Sequence, residues 1–258
     1  MADGQNREVT SGAASAAATS GLTLVPQADR RLNMQIMQDM RRATLSADAL
    51  DCRAVLQRAY TAGIARDDIA DLYIPGLARE LGVNWCEDSL SFAAVTIGSS
   101  RLQAMLRELG PEWVGDQSAT PGAPSVMLVV AQDVYHTLGA MVLSGQLRRK
   151  GLSVRLMLGV QTSELIEKLA KNSYDAVFIS SSLGETLESL RKIVEVVRTT
   201  CAKSVPVVIG GTILEDAAPC DIVSLTGSDY ATNIPSEALE LCGLTTKFLS
   251  LATRSREA

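Results

Sequence analysis

The sequence predicts a four-helix bundle followed by a flavodoxin-like, Rossmann-type α/β domain with a five-stranded parallel sheet. Three features lead there. Apolar residues recur at helical spacing from residue 29 to residue 110. The stretch GPEWVGDQSATPGAP then breaks that period with prolines, glycines and polar residues. Beyond it, short β-rich runs alternate with helical stretches, as a parallel sheet covered on both faces requires.

In the bundle, Leu32, Ile36, Met37 and Met40 define a first helix running from Asp29 towards Thr44. The spacing of Met34, Met37 and Met40 assigns all three to core packing. Ser46 is expected to cap a second helix through Leu50, Ala54 and Leu56, ending near Gly63. A third starts near Asp67, buries Ile69, Leu72, Tyr73, Leu77 and Leu81, kinks at Pro75 and closes at Gly82. The fourth begins near Ser89 or Ser91, with Phe92, Val95, Leu102, Met105, Leu106 and Leu109 inward. The predicted strands are SVMLVVAQ, SVRLMLGV, YDAVFISSS, VPVVIGG and DIVSLTG. The resulting division is a disordered tail over 1–28, the bundle over 29–110, a linker over 111–124, the α/β domain over 125–246 and a flexible tail over 247–258.

A formal net charge of −5 gives no electrostatic footprint for phosphate backbones, so direct nucleic-acid binding is not expected. Cys52, Cys86, Cys201, Cys220 and Cys242 are widely spaced, without a C-x-x-C pair. With one histidine in the chain, they indicate a reducing compartment and no structural zinc. Residues 1–25 lack the pattern of an export signal, and no long uncharged apolar run could span a membrane. The expected location is the cytoplasm. Arg148, Arg149 and Lys150 are assigned to a solvated last helical turn.

The candidate chemistry gathers where the predicted strands end, which is where ligands bind in open parallel sheets. His136 follows the first strand, Ser180, Ser181, Ser182, Leu183 and Gly184 close the third, and Gly210 and Gly211 close the fourth. Taken singly, these are a surface histidine, helix-capping serines and a tight glycine turn. Taken together they line one slot, and small residues leave it room. At this point the sequence resembles the cobalamin-binding fold of methionine synthase, whose motif is D-x-H-x-x-G, then S-x-L, then G-G. The correspondence covers His136 and Gly139, Ser181 and Leu183, and Gly210 and Gly211.

The resemblance implies cobalamin, as the adenosyl or hydroxo form, held base-off with His136 on cobalt as the metal ligand. Thr137 would lie beside that ligand, and the nucleotide tail would enter near Ser181 and Gly210. Gly227 and Asp229, placed after the fifth predicted strand, resemble the family's last loop. Val134 stands where the family has its acid, with Asp133 displaced by one, which points away from catalytic cycling and towards sensing. The run YIPGLARELGVNWCEDSLSFAAVTIGSS is similar to the helical cap of methionine synthase and of CarH-type photoreceptors, with Trp85 as the upper-face aromatic. Val95 and Thr96 replace the Glu-His pair of those photoreceptors and would line the pocket.

No DNA-reading helix pair remains in the chain, so the resemblance narrows to the AerR/PpaA family of purple photosynthetic bacteria. That family implies a light-responsive antirepressor, not an enzyme, which contacts a CrtJ/PpsR-type repressor of photosystem genes. The alternative on the same fold is a corrinoid carrier serving a methyltransferase. Phosphoacceptor, flavin and haem roles stay open as lesser readings of the fold.

Overall fold

The computed structural model describes residues 32–48, 50–111, 122–131, 137–201 and 204–245. The expected tails, most of the linker, and His136 with Asp133 and Val134 lie outside the described residues.

The bundle is built from α1 (Met34–Leu45), α2 (Leu50–Thr61), a short α3 (Arg66–Asp68), a π-helical turn (Ile69–Tyr73), α4 (Ile74–Cys86) and α5 (Phe92–Leu109). Asn33 starts α1 by accepting from the N–H groups of Gln35 and Ile36. Ser91 starts α5 by accepting from Ala94 N–H at 3.2 Å. Ser46 does not cap the second helix. Its own N–H closes α1 on the Ala43 carbonyl, and Asp48 Oδ1 instead receives Leu50 N–H at 2.8 Å. Pro75 sits in the first turn of α4, directly after the π turn. Proline offers no N–H to the carbonyl four residues back, and the widened turn accommodates the missing bond, so the predicted kink takes this form. Gly82 does not close the helix, which runs on to Cys86.

Met37, Met40, Leu56, Tyr73, Leu77, Leu102 and Leu106 fill the bundle core. Each such side chain contributes roughly 1.5–3 kcal/mol by leaving water. Met34 and Phe92 do not join them, being 61% and 73% exposed. Both occupy the first position of their helix, where the apolar stripe has no neighbouring turn to pack against.

The α/β domain contains β1 (Ser125–Ala131), α6 (Leu138–Arg149), β2 (Ser153–Val160), α7 (Thr162–Lys171), β3 (Ala176–Ser181), α8 (Leu187–Thr200), β4 (Val207–Gly211), α9 (Ile213–Asp216), α10 (Pro219–Thr226), β5 (Tyr230–Ala231) and α11 (Pro235–Leu241). The strands are parallel in the order β2-β1-β3-β4-β5, which puts the switch in chain direction between β1 and β3. Strand alternation divides the core in two. Met127, Val129, Val177, Ile179, Val207 and Ile209 pack against α7, α8 and α10. Val126, Leu128, Val130, Phe178 and Val208 pack against α6 and α11.

One predicted strand is wrong: DIVSLT belongs to α10, and the fifth strand is Tyr230–Ala231. Pro219 opens this helix and Gly227, at φ +76°, closes it in the left-handed conformation. That punctuation is helical, and the buried residues are Ile222 and Thr226, one turn apart.

Helix α6 joins the two units. Ala140 and Leu147 face the sheet, whereas Leu138, Met141 and Val142 enter the bundle core. At its C-terminal end Arg149 grips both Asp71 carboxylate oxygens, at 2.6 and 2.7 Å. Burial pushes the Asp71 carboxyl up, and the guanidinium opposes that shift. Arg149 is therefore an inter-unit contact and not part of a solvated turn.

The cysteines differ in accessibility. Cys52 is buried, Cys86 and Cys220 are exposed, and burial, reinforced by Asp229, pushes the Cys242 thiol up from 9.0 to about 11. At about pH 8 an alkylating reagent is expected to modify Cys86 and Cys220 well before Cys52 and Cys242, because the thiolate is the nucleophile. Time-resolved peptide mapping checks the order, and early labelling of Cys242 would contradict it. The native state also holds the Cys242 proton more tightly than the unfolded chain does. Stability from this group is complete below pH 9.0 and is lost as pH rises towards about 11.

Candidate functional site

The C-terminal edge of the sheet is assembled from the ends of β1, β3, β4 and β5. β1 shifts register against β2 between Val129 and Ala131, just before the segment that carries His136. Thr137 precedes α6, and its Oγ1 accepts from Gln103 Nε2 of α5 at 2.9 Å. A methyl group added at Gly139 would meet nothing within 4 Å among the described residues.

Ser181 ends β3, is 4% exposed, and its Oγ has no hydrogen-bond partner among the described residues. An unmade bond at a buried hydroxyl costs about 1–3 kcal/mol, so this atom is a candidate ligand contact. Ser144 Oγ on α6 and Glu185 Oε1 after β3 are likewise buried without a hydrogen-bond partner among the described residues. The turn after β3 is held locally: Ser182 N–H donates to Glu185 Oε2 at 2.9 Å, and Leu183 N–H donates to Thr212 Oγ1 at 3.1 Å. The Leu183 side chain is 49% exposed.

The paired glycines act through the backbone. Gly211 has φ +110°, and a Cβ there would lie 1.9 Å from the Ser181 carbonyl oxygen. A Cβ at Gly210 would lie 2.7 Å from the Thr232 carbonyl oxygen. Gly211 N–H donates to Asn233 Oδ1 at 2.6 Å, which ties the β4 end to the segment following β5. At these two residues three chain segments approach so closely that no side chain fits between them, in keeping with the tight turn the paired glycines offered.

Gly227 and Asp229 are not at this edge. They precede β5, and Asp229 Oδ2 accepts from Val207 N–H at 2.7 Å at the start of β4, with Arg198 Nη2 at 2.6 Å. They brace the opposite, N-terminal edge. The error follows from the misassigned fifth strand, which also concealed Thr232 and Asn233. The chain's glycine and proline punctuation around residues 219–227 was the signal that could have found them.

On the bundle, Trp85 lies in the last turn of α4 and is 48% exposed. Val83, Phe92 and Ile97 are also exposed, so the α4–α5 region presents apolar surface that sequence periodicity had assigned partly to the core. Val95 is partly buried and packs against the bundle core. Thr96 is exposed, with its hydroxyl donating to the Phe92 carbonyl at 2.8 Å. Phe92 and Thr96 lie roughly 16 and 10 Å along α5 from Gln103, the residue that touches the sheet edge at Thr137.

The family model described as the B12 binding domain matches residues 124–234. A Rhodobacter capsulatus protein, described as an uncharacterized 20.5 kDa protein in the bchF-crtJ intergenic region, is 34% identical over 167 residues, or 65% of this chain and 86% of that protein. The structure of the Methanosarcina barkeri monomethylamine corrinoid protein aligns with TM-score 0.63 and 16% identity, over 83% of this chain and all of the other. At that identity the likeness is one of fold, and its extent takes in both the bundle and the sheet domain. No helix among the described residues is long and apolar enough to cross a membrane.

Proposed function

The chain belongs to the AerR/PpaA family of B12-binding proteins, and from that premise we propose that it is a cobalamin-dependent, light-responsive antirepressor acting in the cytoplasm. Its partner in this reading is a CrtJ/PpsR-type repressor of photosystem genes, contacted as protein and without catalysis by this chain. The observation that carries the reading is that a chain with a B12 binding domain has a relative of 34% identity described as lying in the bchF-crtJ intergenic region.

The residues present fit the cofactor. Its amide-rich periphery and nucleotide tail offer hydrogen-bonding groups, and Ser181 Oγ at the sheet edge is a buried hydroxyl without a partner among the described residues. Gly139 of the same motif has open space around it among the described residues. His136 and Thr137 would hold the lower side, Ser181, Leu183, Gly210 and Gly211 the tail, and Trp85 with the exposed α4–α5 surface the upper side. When bound, the group supplies a light-labile bond between cobalt and its upper ligand. The chain's part is to bind, to exclude water with the exposed apolar surface, and to expose different repressor-binding surfaces in two arrangements. Such a signal requires that the two arrangements differ in affinity for the cofactor state.

Visible spectra of the purified chain with hydroxo- and adenosylcobalamin, dark and illuminated, test this. Wild type is expected to retain cobalamin with an imidazole-ligated spectrum, and His136→Ala to lose that signature. Illumination is expected to change the amount of repressor co-purified. A wild type that retains neither cobalamin overturns the reading. Methyl transfer to an acceptor, with repressor binding indifferent to light, would replace it with the corrinoid-carrier alternative.

A further inference from the structure

Helix α6 is the element through which the bundle could feel the cofactor loop. Its first turn follows directly on the segment containing His136, and one face is packed into the bundle core through Leu138 and Met141. The bundle holds it at both ends. At the C-terminal end, Arg149 Nη2 reaches both carboxylate oxygens of Asp71 of the π turn, and Arg149 Nε lies 3.5 Å from Asp67 Oδ2. At the N-terminal end the polar link is a neutral one, from Gln103 Nε2 to Thr137 Oγ1 at 2.9 Å.

The two links are unequal. A charge-assisted contact to a carboxylate is stronger than a neutral hydrogen bond between partly buried groups. A displacement of the bundle against the sheet therefore gives way first at Gln103 and turns about Arg149. Thr137 is the residue before α6, and no side-chain bond of its own caps that helix. Its hydroxyl is engaged by the bundle instead.

We propose that Gln103 is a positioning residue: its amide holds Thr137 and with it the first turn of α6, which follows the motif histidine in the chain, so that bundle position and the start of this helix are coupled. Resting on the cobalamin reading only for its spectral consequence, this coupling supplies a route by which a change at the cofactor reaches the bundle surface. It also accounts for a glutamine turned inward on α5 at the level of α6 in place of an apolar residue. Glutamate at the same position preserves the link, because the Thr137 hydroxyl then donates to the carboxylate.

The test uses the full-length chain and two readouts. In the absence of cobalamin, amide hydrogen exchange over Thr137–Val142 is expected to be about 3- to 10-fold faster in Gln103→Ala, the scale of one lost hydrogen bond, with α1 and α2 unchanged. Gln103→Glu is expected to restore wild-type exchange, and the double variant Gln103→Ala, Thr137→Val to be no faster than either single one. With hydroxocobalamin, Gln103→Ala is expected to weaken retention by the same factor and to reduce the imidazole-ligated fraction. Unchanged exchange at the start of α6, an equal rise throughout the bundle, additive effects in the double variant, or no restoration by Gln103→Glu overturns the proposal. A wild type that retains no cobalamin overturns the cofactor reading alone, since the exchange experiment still decides the role of Gln103.

Discussion

Gly211→Ala is expected to destabilise the α/β domain by at least about 3 kcal/mol, the range associated with enforced backbone strain and overpacking. Two costs combine at this position. The φ of +110° lies where a side chain is disfavoured, and the added Cβ would sit 1.9 Å from the Ser181 carbonyl oxygen. The neighbouring atoms are β3 backbone, held in register by the pairing of Ser181 with Gly211 and of Ser180 with Gly210, so they cannot yield without breaking the sheet. The Gly211 N–H bond to Asn233 would be strained by the same shift. Gly139→Ala gives the contrast. Its new methyl group meets open space among the described residues, so stability is expected to be unchanged or raised by up to about 1 kcal/mol. Cobalamin retention is nevertheless expected to fall about tenfold or more, because the methyl group would occupy the space assigned to the cofactor. Urea unfolding of the two apo variants, with cobalamin titration of Gly139→Ala, separates a glycine needed by the chain from one needed by the ligand. A loss below about 1 kcal/mol for Gly211→Ala would contradict the close approach of β3 and β4.

Met141→Ala is expected to cost about 2–5 kcal/mol, the usual range for truncating a fully packed side chain that leaves a cavity. Met141 is 2% exposed and belongs to the bundle core although its helix is part of the α/β domain. Leu138 and Val142 beside it do the same, and Ala140 and Leu147 on the other face of α6 pack on the sheet. Loss of α6 would therefore strip both cores at once. Tryptophan fluorescence, which includes Trp85 of α4, and far-UV circular dichroism are expected to trace one shared transition in wild type and in Met141→Ala. Two separated transitions in wild type would show that the bundle and the sheet domain unfold independently and would remove the structural basis for coupling through α6.

The candidate site was legible in proportion to how local its signals were. Ser181, Gly210 and Gly211 could be placed at a strand end because the apolar runs before them are short, continuous and β-rich. Asn233 could not. It depends on where β5 begins, and the two-residue strand Tyr230–Ala231 has too little pattern to register against the apolar DIVSLT beside it. That segment is helical because Pro219 and Gly227 bound it and only one side is buried. Gly227 and Asp229 moved to the opposite edge of the sheet as a result. Arg149 shows the same limit for charge: a basic cluster at a helix end has the same sequence whether it faces water or Asp71 of another element.

By itself the sequence determined the order and kind of almost every element and the family to which the chain belongs. Those properties follow from period, punctuation and motif, each encoded within a few turns or strands of the chain. Tertiary structure alone decided that Gly211 is needed for close approach of β3 and β4, that Phe92 and Met34 face outward, and that Gln103 reaches Thr137. The physical reason is common to all three. Exclusion of a Cβ, exposure of an apolar ring and the pairing of an amide with a hydroxyl depend on which surface lies opposite, and here that surface comes from residues distant in the chain.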